Sequence, residues 1–129
     1  MLLNNFFTIQ SVDEPEVKEV AGVLTTHYNL KTILNPTHPV FKGHFPGNPV
    51  VPGVCQIQMI TESLQSVTGI QIFLKEADNI KFLSMINPVE TNTLFIDLVI
   101  KSLPGEKMGV QANISGNGIV FLKLKGVFS

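Results

Sequence analysis

The last third of the chain alternates almost without interruption between apolar and polar residues, and this pattern limits the possible folds more than any other feature. Leu94, Ile96, Leu98 and Ile100 alternate with Thr93, Asp97 and Lys101, and Pro104-Gly105 follows as a turn. Met108, Val110, Ala112 and Ile114 alternate with Lys107, Gly109, Gln111 and Asn113, and Ser115-Gly-Asn-Gly118 follows as a hairpin. Val120, Leu122, Leu124 and Phe128 then alternate with Lys123 and Lys125. A period of two places one residue set on each face of a strand. Three antiparallel strands with one apolar face need a cover for that face.

Only one segment offers that cover. In Gly53–Thr68, Ile57, Ile60, Leu64 and Val67 recur at helical spacing, and Gly69 follows as a C-cap. Elsewhere the pattern is extended. Phe6–Gln10 reads as a short strand, Val12–Lys18 with Pro15 as a polar connection, and Glu19–Leu30 as one alternating strand. Asn35–Pro52 holds five prolines, which remove donors and fix φ, so it reads as an extended loop. Gln71–Leu74 and Ile80–Ile86 read as two further strands. The expectation is one α+β domain over residues 1–129, a curved antiparallel sheet around one central helix.

Composition narrows the function classes. Apolar residues make up 44% of the chain and charged residues 15%, which excludes a disordered, solvating polypeptide and suggests apolar surface buried between subunits. The net charge is -1 and Lys and Arg do not cluster, so phosphate neutralisation and nucleic-acid binding are disfavoured. Cys55 is the only cysteine, which excludes an intrachain disulfide. The start, Met1-Leu-Leu-Asn-Asn-Phe-Phe, lacks the basic region of a signal peptide, and no apolar run has the length of a membrane span. A cytoplasmic protein without membrane association is expected. His38, His44 and Cys55 lack a metal-ligand spacing, so no metal site is expected.

The chemistry concentrates in Gly43-His-Phe-Pro-Gly-Asn-Pro-Val-Val-Pro-Gly-Val54 and the helix it enters. Prolines 46, 49 and 52 restrict the loop, so His44 is held with little freedom. An imidazole titrates near neutrality and can take a proton at working pH. Pro52-Gly53 opens the helix, whose first amides lack intrahelical acceptors and carry partial positive charge. Such amides can receive a carbonyl oxygen that gains negative charge during a reaction.

This stretch resembles the signature of the bacterial 3-hydroxyacyl-acyl-carrier-protein dehydratases, His-Phe-Pro-Gly-x-Pro-x-x-Pro-Gly-Val. The likeness extends more weakly through Ile80-Lys-Phe-Leu83 and Asn87-Pro-Val-Glu90. The family's Leu-Pro-His-Arg segment has no counterpart near the N-terminus. The resemblance implies a hotdog fold, assembly as a homodimer or trimer of dimers, and active sites between subunits. It implies that His44 removes the C2 proton of an acyl thioester and that Gly53 polarises the thioester carbonyl. Phe45, Gly53 and Val54 then contact substrate. The implied partner is an acyl-carrier-protein or coenzyme A thioester, and no bound cofactor is required.

One position departs from that family. Its carboxylate, fourteen residues after the histidine, is here Gln58, an amide with no ionisable proton. Glu62 stands one helical turn later on the same face, and Cys55, Gln58, Glu62 and Gln65 form a polar stripe. Such a stripe on a covered helix must find partners or line a cavity. The expected arrangement has Glu62 supplying the acid and Gln58 linking it to the 3-hydroxyl through a hydrogen bond or shared water. The bland reading of the pair is a surface or dimer-contact stripe with the acid lost. The bland reading of Lys123 and Lys125 is a solvated strand face. Two rival functions remain: a thioesterase of the same fold with Glu62 activating water, and a non-catalytic acyl-binding or partner subunit.

Overall fold

A computed structural model describes residues 1–43 and 47–129. Seven strands and two helices follow in the order β1 (Phe7–Val12), β2 (Glu16–Val20), β3 (Val23–Leu34), α1 (Val40–Gly43), α2 (Gly53–Thr68), β4 (Leu74–Phe82), β5 (Thr93–Leu103), β6 (Lys107–Gly116) and β7 (Ile119–Phe128). All the strands join one antiparallel sheet in the order β1-β3-β5-β6-β7-β4, with β2 also on β3. β1 pairs with the C-terminal half of β3 and β2 with its N-terminal half, so the two lie in series along one edge.

α2 is the central helix. Gln56 and the six consecutive residues Met59 to Leu64 are buried, more than an amphipathic surface helix would hide. Met59, Ile60 and Leu64 are fully buried against the inner faces of β3, β5, β6 and β7. Burial of each such side chain contributes roughly 1.5–3 kcal/mol. The helix stops at Gly69, whose left-handed backbone (φ 70°) lets its N–H donate to Gln65 O. The expected α+β architecture is present. No helix among the described residues is long and apolar enough to cross a membrane.

Five details correct the reading from sequence. Glu19–Leu30 is not one strand: Ala21 (φ 52°) and Gly22 (φ 78°) form a turn with two positive φ values, which joins β2 to β3 as a hairpin. Most of the polar connection Val12–Lys18 is therefore strand. Asn35–Pro52 is not wholly extended, because Val40–Gly43 makes one helical turn. The separate strands at 71–74 and 80–86 are replaced by one edge strand, β4, interrupted by two bulges against β7. In β7 the period breaks at a bulge opposite Ile114 and Ser115, so Phe121 is buried and Val120 faces out.

Candidate functional site

Pro52 and Gly53 place the start of α2 at a cleft of about 580 Å³, with Val50, Val51, Gln56, Phe82 and Met85 among its walls. The amides of Cys55 and Gln56 already donate to Pro52 O, at 3.0 and 3.1 Å. Those of Gly53 and Val54 make no backbone hydrogen bond among the described residues and are the free donors at the positive end of the helix. The missing side chain of Gly53 has a visible use. A Cβ there would lie 2.8 Å from Cζ of Phe82, whose ring leans on the helix start. Phe82, on the last residue of β4, thus forms part of the cleft beside the free amides. Sequence reading gave it no role of its own.

The other expected residues divide into two groups. His44 and Phe45 lie outside the described residues. Val54 is 75% exposed and is not among the cleft walls. On the helix, Gln58 and Glu62 are in contact: Gln58 Nε2 donates to Glu62 Oε2 at 3.0 Å. Glu62 is only 2% exposed and also accepts from the backbone N–H of Leu2 (3.0 Å to Oε1, 2.9 Å to Oε2) and of Leu3 (2.9 Å to Oε1). The carboxylate therefore clasps the N-terminal segment while it orients Gln58. With Nε2 committed to Glu62, the carbonyl Oε1 of Gln58 is directed elsewhere as a hydrogen-bond acceptor.

Of the remaining members of the polar stripe, Gln65 also finds a partner. Gln65 Nε2 donates to Ile72 O at 3.0 Å, tying the end of α2 to the approach to β4. Cys55 is half-buried, and desolvation pushes its thiol pKa up, so it is a weaker nucleophile than an exposed thiol. His38 is a structural residue, accepting from Val40 N–H through Nδ1 at 3.1 Å and packing edge-on against Phe6. One further residue went unnoticed in the sequence. Gln56 is buried in the cleft wall, on the helix face that also carries Met59, Ile60 and Leu64. A polar residue at an apolar-periodic position was the signal for it.

The sequence profile of the ApeI-like family, described as ApeI dehydratase, matches residues 22–113, well over half of the chain and inclusive of the cleft and α2. The chain belongs to the ApeI-like dehydratase family. A 3-hydroxyacyl-acyl-carrier-protein dehydratase, FabZ of Enterococcus faecalis, is 31% identical over 93 residues, which are 66% of this chain and 65% of that one. The match thus spans just under two thirds of that relative's length. Two solved structures share the fold of this ApeI-like chain. A protein from Erwinia carotovora subsp. atroseptica superposes with a TM-score of 0.61 at 21% identity, covering 94% of both chains. The dehydratase heterocomplex ApeI:P from Xenorhabdus doucetiae gives 0.61 at 19% identity, covering 89% of this chain and 97% of that one. The ApeI-like chain has the hotdog fold.

Proposed function

We propose that the chain dehydrates a 3-hydroxyacyl thioester, carried on acyl-carrier protein or coenzyme A, to the trans-2-enoyl thioester. The observation that carries this reading is the membership of the ApeI-like dehydratase family over residues 22–113, with Gly53 at the start of α2 lining an apolar cleft. In the proposed scheme the thioester carbonyl accepts from the Gly53 amide, which lowers the cost of negative charge on that oxygen. His44 takes the C2 proton, the C2–C3 double bond forms, and the C3–O bond breaks. Phe45 contacts the acyl thioester, and Val54 contributes its backbone amide rather than its exposed side chain. The departing hydroxyl takes up a proton and leaves as water. Gln58 and Glu62 serve that end, with Glu62 as proton source and Gln58 beside the hydroxyl. Their 3.0 Å contact supports this pairing.

The same scheme favours assembly as a homodimer or trimer of dimers. The outer edge of β4 has no partner strand among the described residues, and exposed Phe73, Phe82, Leu83 and Met85 lie on or beside β4. A sheet edge of this kind pairs readily with another chain.

A second reading rests on the engagement of Glu62 by Leu2 and Leu3. A carboxylate that accepts from two backbone amides must leave them before it can carry a proton to substrate. In this reading the chain binds the thioester while a second subunit supplies the acid.

One assay separates the two. Enoyl-thioester formation from 3-hydroxyacyl thioesters of several lengths is measured for the wild type, Glu62→Gln, Gln58→Ala and Gln58→Glu. Activity in the wild type that is lost in Glu62→Gln and impaired in Gln58→Ala supports the first reading. An inactive wild type with activity in Gln58→Glu supports the second. Release of free thiol without enoyl product would mark a thioesterase and sink both.

A further inference from the structure

The first turn of α2 holds a polar group that the scheme above does not use. Gln56 is 3% exposed, and its Nε2 donates to Val51 O at 3.3 Å. That bond fixes the carboxamide, because the reverse orientation would set two carbonyl oxygens against each other. Oε1 is therefore turned away from Val51, and it is buried with no hydrogen-bond partner among the described residues. Buried acceptors are nearly always paired, since an unpaired one loses its hydration without compensation. A leucine or methionine would fill the same place at no such cost.

The side chain that carries this acceptor lines the cleft at the helix start, together with Gly53, Phe82 and Met85. The free amides of Gly53 and Val54 are donors on the same turn. A ligand that satisfies both ends has a carbonyl for the amides and a hydrogen-bond donor at the rise of three helical residues, ~4.5 Å.

We propose that Gln56 is a specificity-determining residue, whose Oε1 accepts a hydrogen bond from an N–H or O–H donor of the thioester bound with its carbonyl at Gly53. This inference rests on the acyl-thioester reading of the cleft and assigns it a second point of recognition. Two donors flank a thioester carbonyl at suitable range. One is the 3-hydroxyl on the acyl side, and the other is the first amide N–H of a pantetheine arm on the sulfur side. A site with a buried acceptor discriminates strongly against ligands that leave it unpaired.

Three oxygen esters test the assignment, because their C2 protons are less acidic than those of thioesters and they report binding. The probes are propyl butyrate with neither donor, propyl 3-hydroxybutyrate with the hydroxyl only, and the butyrate ester of N-acetylethanolamine with the amide only. Calorimetric titration of the wild type should find one donor-bearing probe about tenfold tighter than propyl butyrate, the worth of one hydrogen bond. The tighter probe identifies the donor. Gln56→Leu should abolish that preference, so that the donor-bearing probe and propyl butyrate bind alike, and Gln56→Met serves if the leucine variant does not fold. Equal affinity of the wild type for all three probes overturns the assignment while the cleft stands as an acyl site. A donor preference that survives in Gln56→Leu also overturns it. Failure of every probe to compete with an acyl thioester overturns the acyl reading of the cleft together with it.

Discussion

The backbone N–H of Leu2 reaches both carboxylate oxygens of Glu62, at 3.0 and 2.9 Å, across sixty residues of sequence. Leu3 adds a third contact and Gln58 a fourth, so one buried side chain holds the chain start, the helix face and the candidate hydroxyl-binding amide in a single arrangement. Glu62→Gln replaces one of two acceptor oxygens with an NH2 group that faces N–H donors. The variant should lose about 1.5–3 kcal/mol of stability, the worth of hydrogen bonds to a charged group, read from the urea midpoint. An unchanged midpoint would mean that the N-terminal segment is not held by this carboxylate.

His44 is proposed as the base. His44→Ala should lower turnover by about two to four orders of magnitude while circular dichroism stays that of the wild type. A folded, fully active variant would remove His44 from the chemistry.

Gly126 lets β4 close on β7. A Cβ there would lie 2.6 Å from Glu76 O and 3.4 Å from the Cα of Ala77, both backbone atoms that cannot swing aside. Gly126→Ala should cost about 1–3 kcal/mol, typical of overpacking, with hydrogen exchange rising first in β4. Gly53→Ala differs, because its neighbour is the ring tip of half-exposed Phe82, which can move. Stability should change little there, and the displaced ring should narrow the cleft.

The Cys55 thiol ionises less readily in the folded chain than in the unfolded one, because burial raises its pKa. The unfolded state then loses its proton first as pH rises, so stability is full below the ordinary thiol pKa and falls above it, until the folded thiol also ionises. Cys55→Ala should flatten that alkaline decline in denaturation curves. Identical slopes would assign the decline to other groups.

Assembly follows from the β4 edge. Light scattering at micromolar concentration should give a dimer or larger species, and charged substitutions at Phe73 or Leu83 should shift it towards monomer. A wild-type monomer would remove any active site shared between subunits.

The parts of the fold legible in sequence are those with one wet and one dry face. Gly53–Thr68 and the inner residues of β5 and β6 fall where their periods place them, because each element packs one residue set against the core. β4 was split in the reading because Lys75, Glu76 and Asp78 carry no apolar period on an exposed edge. The β2–β3 hairpin was missed because alternation continues through Ala21 and Gly22, and the turn is made by backbone angles rather than by a polar break. At the candidate site, the nearness of Gln58 and Glu62 was readable from helical spacing. The clasp on Leu2 and Leu3 was not, since nothing local in either segment announces a contact sixty residues away.

The order of the sheet also has a consequence for how the chain acquires its structure. β5, β6 and β7 are successive hairpins that can zip from their turns, whereas β3 pairs with β5 through residues such as Asn29 and Asp97, sixty-eight apart. Contacts this distant pay their loop-closure entropy before they return any stability. During synthesis, β3 must wait with its apolar face unsheltered until β5 has been made, and α2 is complete before the strands that will enclose it exist. The C-terminal meander is therefore the natural nucleus. The docking of Leu2 and Leu3 on Glu62 belongs among the last events, and a ribosome-stalled chain ending before Thr93 should depend on chaperones to stay in solution.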